Sequence, residues 1–145
     1  MAVTPHVFPQ AVQRLLADKS MDLNTDSLKV MLLSAYTWSN AHSTITAVKA
    51  AGTEATGTGY TAGGATLAGV TVATSGLVTT LDCNDVTWTT STVSAAHAVF
   101  YDAQGGTDAT NYPLVHWDLG GTQSTTAGTF SLTISGSGLL TVTSS

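Results

Sequence analysis

From Ala65 onward the chain repeats one pattern: short stretches in which apolar and hydroxylated residues alternate. Leu67–Thr74, Leu77–Cys83, Val86–Trp88, Ala95–Tyr101, Leu114–Leu119, Thr129–Ile134 and Leu139–Thr143 are such stretches, each separated by Gly, Asp, Asn or Ser. Successive side chains of a strand point to opposite faces, so this alternation makes one dry face and one wet face. Phe130-Ser-Leu-Thr-Ile134 is the clearest case, a strict period of two. Short strands at regular spacing with turn signals between them read as a sandwich or barrel. Threonine occurs 27 times and is stiff at its first side-chain torsion, which suits pleated sheet better than helix. The pattern predicts a mainly β protein, an antiparallel β-sandwich or barrel-like single domain spanning residues 1–145. No internal repeat is visible, so one fold is expected rather than a solenoid.

The first part of the chain reads differently. Pro9 suits a first helical turn, and Val12, Leu15, Leu16 and Phe8 form an i, i+3, i+4 apolar stripe. One short helix is expected in an N-terminal arm over residues 1–22, ending near Lys19–Met21. Its stripe can pack on the sheet or dock on a partner. The β domain is expected over 23–145, and Leu28–Leu33 reads as a buried strand. Residues 36–64 are rich in Ser, Thr, Gly and Asn and are expected to form a long surface loop, with a single helical turn at Thr44–Ala51 and Tyr36 and Trp38 as anchors.

Charge removes several partners. Only 9% of residues are charged, against about 25% in ordinary soluble domains. Arg14, Lys19, Lys29 and Lys49 are the only basic residues, and the net charge is -5. Nucleic-acid binding needs Lys and Arg to neutralise phosphates, and an anionic membrane surface needs them too, so neither partner is expected. The N-terminus lacks the basic start and apolar run of a signal peptide, since Pro5, His6, Pro9 and Gln10 interrupt it. No stretch approaches the roughly 18 apolar residues of a membrane span. The protein is expected to be made in a cytosol and to be soluble there. Cys83 is the single cysteine, so it has no partner within the chain and reads as a small buried hydrophobe.

Catalytic and cofactor motifs fail on context. Gly57-Thr-Gly59-Tyr60-Thr-Ala62 fits the spacing of a dinucleotide loop, but Gly63-Gly64 and a strand follow where a helix N-terminus is required. No G-x-S-x-G elbow is present. If Ala95–Tyr101 and Leu114–Leu119 form a hairpin, His97 lies opposite Asp118 and His116 opposite Val99, a pair able to steer a metal or a proton. Structural histidines are commoner. Asp102 and Asp108 flank Gly105-Gly106 without the ligand density of a calcium loop, and Asp82 and Asp85 read as turn caps. No catalytic residue, metal or cofactor is expected.

Several blocks carry a resemblance. These are Asp26-Ser-Leu-Lys-Val-Met-Leu33 with Ser34-Ala-Tyr36, Gly57-Thr-Gly-Tyr-Thr-Ala-Gly-Gly-Ala-Thr-Leu67, Asp85-Val-Thr-Trp88, Ala98-Val-Phe-Tyr-Asp102, Phe130-Ser-Leu-Thr-Ile134 and Gly138-Leu-Leu-Thr-Val-Thr143. In this order, over nearly the whole chain, they resemble a family of small tailed-bacteriophage virion structural proteins. The resemblance implies a non-enzymatic head decoration or cement protein, bound to the major capsid protein on the capsid surface and assembled in the host cytoplasm. One departure is Ala95-Ala96-His97, where the family would carry a basic residue. A tail- or fibre-associated adaptor and a carbohydrate-binding β-sandwich, stacking sugar on Trp38, Tyr60 or Trp117, are the alternatives. Candidate partner contacts are Tyr60, Gly59, Gly63 and Gly64 in a Gly-rich loop over 55–64, together with Trp38, Leu139 and Val142. The strand Leu139–Thr143 lacks the charges and prolines that protect an edge, so it lies centrally or is covered by a neighbouring subunit, with a homotrimer favoured.

Overall fold

The computed structural model describes residues 2–144. The chain forms eleven strands: β1 Thr4–Val7, β2 Leu28–Tyr36, β3 Gly52–Glu54, β4 Gly57–Thr58, β5 Ala65–Thr66, β6 Thr71–Ser75, β7 Val78–Asp82, β8 Val86–Asp102, β9 Tyr112–Ser124, β10 Gly128–Leu132 and β11 Leu140–Thr143. Two short helices, α1 (Pro9–Gln13) and α2 (Ile45–Ala50), join them, and a π-helical turn over Arg14–Asp18 continues α1. The fold is mainly β and antiparallel, with a short helix near the N-terminus.

The main sheet runs β1-β9-β8-β2-β3, with β5 added to β2 and with β4 and β10 added to β8; β11-β7-β6 form a second, smaller sheet. Strand β8 organises the molecule. Its first half pairs with β4 and β10, and its second half pairs with β2 and β9. Val86–Trp88 and Ala95–Tyr101, read from sequence as two strands, are therefore one strand of 17 residues. A bulge explains the difference. Between Gly128↔Ser91 and Phe130↔Trp88, β8 carries one residue more than β10, and Thr90 sits there at φ 52. The bulge shifts the inward positions from Val86 and Trp88 to Ser91, Val93 and Ala95, and so interrupts the alternation.

Strand β2 is apolar because it is covered on both faces. Val30, Met31, Leu32 and Leu33 are all fully buried, and they lie beside the equally buried Ala98, Val99 and Phe100 of β8. One contiguous core joins these to Phe8, Ile45, Val48, Leu114, Leu119 and Leu132. Each such side chain contributes about 1.5–3 kcal/mol through removal from water.

The expected long loop over 36–64 is corrected. Its helical turn, expected at Thr44–Ala51, is α2, but the segment also forms β3 and β4. Thr44 caps α2 by accepting a hydrogen bond from the Ala47 amide at 3.3 Å, and the Ile45 and Thr46 amides donate to Asn111 and Asp108 carbonyls of the β8–β9 hairpin. These ties are tertiary, which is why a Ser/Thr-rich sequence holds regular structure there. The N-terminal stripe does not share one face. Phe8 and Ala11 turn inward, whereas Val12 and Leu16 face solvent, Leu16 at 78% exposure.

Candidate functional site: an apolar groove, a fastened loop and a histidine chain

The smaller sheet helps to form an apolar surface groove. Its cross-strand rows are Val72–Leu81–Leu140 and Thr74–Thr79–Val142, and residues two apart on each strand share a face. Most of that face, with Leu15, Leu16 and Met21 from the N-terminal arm, lines a groove of about 640 Å³ rimmed by Lys19 and Asp22. Val142 is 62% exposed, and Leu77 and Val72 are exposed nearby. The sheet has two open edges. All five residues of β6 are exposed, and β11 pairs with β7 alone. Neither edge strand carries a charge or a proline, so the usual protections against pairing with another chain are missing. Leu139–Thr143 thus lies at an edge rather than in the centre. Leu139 itself is buried, its amide donating to the Leu81 carbonyl at 2.8 Å.

The Gly-rich loop is held from inside. The Tyr60 hydroxyl accepts a hydrogen bond from the Leu32 amide at 3.0 Å and donates one to Glu54 Oε1 at 3.0 Å. The Tyr60 ring lies 6.0 Å from that of Trp88, and burial pushes its phenol well above the usual range. The Gly63 amide donates to Glu54, and the Tyr101 hydroxyl donates to the Gly63 carbonyl at 2.7 Å. A Cβ at Gly64 would lie 1.8 Å from the Val30 carbonyl oxygen, so only glycine lets the loop lie against β2. Gly59 is exposed. Of the loop's candidate contacts, Tyr60 is therefore turned inward, while Gly59 remains at the surface.

The remaining aromatic candidates are also inward. Trp117 is buried edge-on against Phe100 at 4.8 Å. Trp38 is half-buried, stacked on His6 at 4.9 Å and packed near Phe8, and its indole nitrogen has no hydrogen-bond partner. Trp38, Tyr60 and Trp117 thus do not form one exposed platform. A second cleft of about 470 Å³ is lined by hydroxyls of β8, β9 and the β3 region, with Glu54 as its one carboxylate and without an aromatic ring.

The acidic candidates are engaged. Lys49 bonds Asp108 at 2.9 Å and Glu54 at 3.2 Å. Burial alone would lower the Lys49 pKa, but these two carboxylates raise it overall. Asp102 accepts from the Gln104 amide at 2.8 Å; burial, with Asp26 beside it, pushes its carboxyl up to about 6. Asp82 accepts locally from the Cys83 amide at 2.9 Å. Asp85, expected as a turn cap, instead accepts from the distant Ile134 amide at 2.8 Å and ties the end of β10 to the start of β8. Burial, with Asp82 and Asp85 adding to it, pushes the Cys83 thiol up to about 11, so it is not a thiolate at neutral pH.

All four histidines gather at one place. His97 pairs with Asp118 and His116 with Val99 across the β8–β9 ladder, the register expected from sequence. Strand β1, not anticipated there, adds His6 opposite His116. His116 Nδ1 lies 3.3 Å from His6 Nδ1, and His116 Nε2 lies 3.2 Å from His97 Nδ1. The Tyr36 ring covers His116 at 5.0 Å, and its hydroxyl bonds His42 Nδ1 at 2.7 Å. Among the described residues no three His, Cys, Asp or Glu side chains are arranged to hold a metal ion.

Comparison of the chain with protein-family models, curated proteins and solved structures gives no match. Among the described residues no helix is long and apolar enough to cross a membrane.

Proposed function

We propose that this chain is a non-enzymatic structural protein of a tailed-phage particle, a decoration or cement protein seated on the major capsid protein at the capsid surface. The sequence resemblance supplies the particle. The observation that carries a docking role is the apolar groove between the N-terminal arm and β11-β7-β6, beside two uncharged open edges. An exposed apolar concavity of this kind marks an interaction site, and open edges add main-chain hydrogen bonds to it. The low charge fits the same role, since charged residues are depleted at interface centres.

Copy number per particle, from gel densitometry, tests the reading. A count in the hundreds, lost when Leu16→Glu is introduced, is the expected result for cement. A few copies per particle identify a tail or fibre adaptor instead. Absence from purified particles overturns both.

A further inference from the structure

We propose that the His6–His116–His97 chain is an acid-sensitive latch that holds the N-terminal strand β1 on the edge of the main sheet. Strand β1 has four residues and pairs with β9 alone. Thr4, Pro5 and Val7 are exposed, and His6 is its one inward anchor, held between Trp38 at 4.9 Å and His116 at 5.3 Å. The two ring-to-ring hydrogen bonds need one proton each. Three neutral imidazoles supply them in a single direction, from one end of the chain to the other. One added proton can be accommodated, with a cationic His116 donating from both nitrogens. A second proton leaves two donors facing each other across 3.2–3.3 Å and places like charges side by side.

The surroundings do not neutralise that charge. From β9 only Asp118 faces the rings, opposite His97, and one of its oxygens already accepts from the Gly120 amide. Strand β2 contributes Tyr36, whose hydroxyl is committed to His42 from the following loop. His116 is 2% exposed. Burial first, then His97 and His6, lower its pKa to about 4, and burial lowers that of His97 as well. Both groups take a proton more readily once the chain opens, near the ordinary value of 6.5. Docking of β1 is therefore complete above about pH 6.5 and weakens as pH falls from there toward 4.

Amide hydrogen exchange by NMR tests the latch on the intact chain. After correction for the intrinsic rate, β1 amides are expected to lose protection about tenfold between pH 7.5 and pH 5, while Val30–Leu33 of β2 change less than about twofold. His6→Phe keeps the stack on Trp38 and removes one of the three titrating rings, and it is expected to weaken the pH dependence of β1. His97→Gln, at a half-buried position, is expected to reduce it. Unchanged β1 protection across this range, or His6→Phe with wild-type pH dependence, overturns the proposal.

Discussion

Tyr60 and Glu54 share a 3.0 Å hydrogen bond, and through it the Gly-rich loop is tied to the backbone of β2 at Leu32. Tyr60→Phe keeps the ring against Trp88 but leaves the Leu32 amide and one Glu54 acceptor position without this partner. Loss of about 1–3 kcal/mol is expected, read as a lower midpoint in denaturant with an unchanged slope. Binding to particles stays the same if Tyr60 acts only within the fold.

Gly64→Ala is expected to cost more. Its φ is +76 and the added methyl would fall 1.8 Å from the Val30 carbonyl oxygen and 2.7 Å from Met31 Cα. Relief requires the loop to lift from β2, and a loss of at least about 3 kcal/mol follows. Gly76→Ala, at φ +60 but with nothing within 4 Å, isolates the cost of the backbone angle alone. Thermal melting of the two variants should separate clearly, Gly64→Ala unfolding first.

Asp102 gives a pH dependence opposite in sign to that of the histidines. Its carboxyl is pushed from 3.8 up to about 6, so the folded chain holds the proton more tightly than the unfolded one between those values. Stability from this group is present below about pH 4 and is lost as pH rises through 6. Asp102→Asn keeps an acceptor for the Gln104 amide and removes the charge beside Asp26. Allowing for solvent screening, it is expected to stabilise by on the order of 1 kcal/mol at pH 7.5, about 2–4 °C in melting temperature. The gain should fade near pH 4. An equal gain at both pH values would exclude the carboxylate as its source.

Thr141→Lys with Thr143→Lys tests the open edge at β11. Both positions are exposed, so folding stability should move by less than about 0.5 kcal/mol. If a neighbouring subunit covers this edge, in the homotrimer proposed from sequence or otherwise, mass in solution by light scattering falls to that of one chain. An unchanged mass together with retained particle binding shows that β11 is not an assembly edge.

Much of the fold was legible because its strands are half-buried and alternate. The His97–Asp118 register could be read from the spacing, since β8 and β9 are consecutive strands joined as a hairpin across residues 103–111. His6 could not be placed there, because its partner lies 110 residues away and Thr4-Pro-His-Val7 has no strand pattern of its own. The strands β3, β4 and β5 are two or three residues long and exist through pairing with β2 and β8. The groove escaped for a similar reason. Leu16 belongs to a stripe that could pack on the sheet or dock on a partner, and only the placement of the distant β11 and β6 makes it one wall of an open surface.

The contact between His6 and His116 also sets an order of events during synthesis. Strand β1 leaves the ribosome well before its pairing partner β9, which is made more than a hundred residues later. At about 5–20 residues per second that interval is roughly 5–20 s. Through it the arm has no edge to join, and Phe8, fully buried in the finished protein, has no core to enter. Strand β1 can dock only after β9 has emerged.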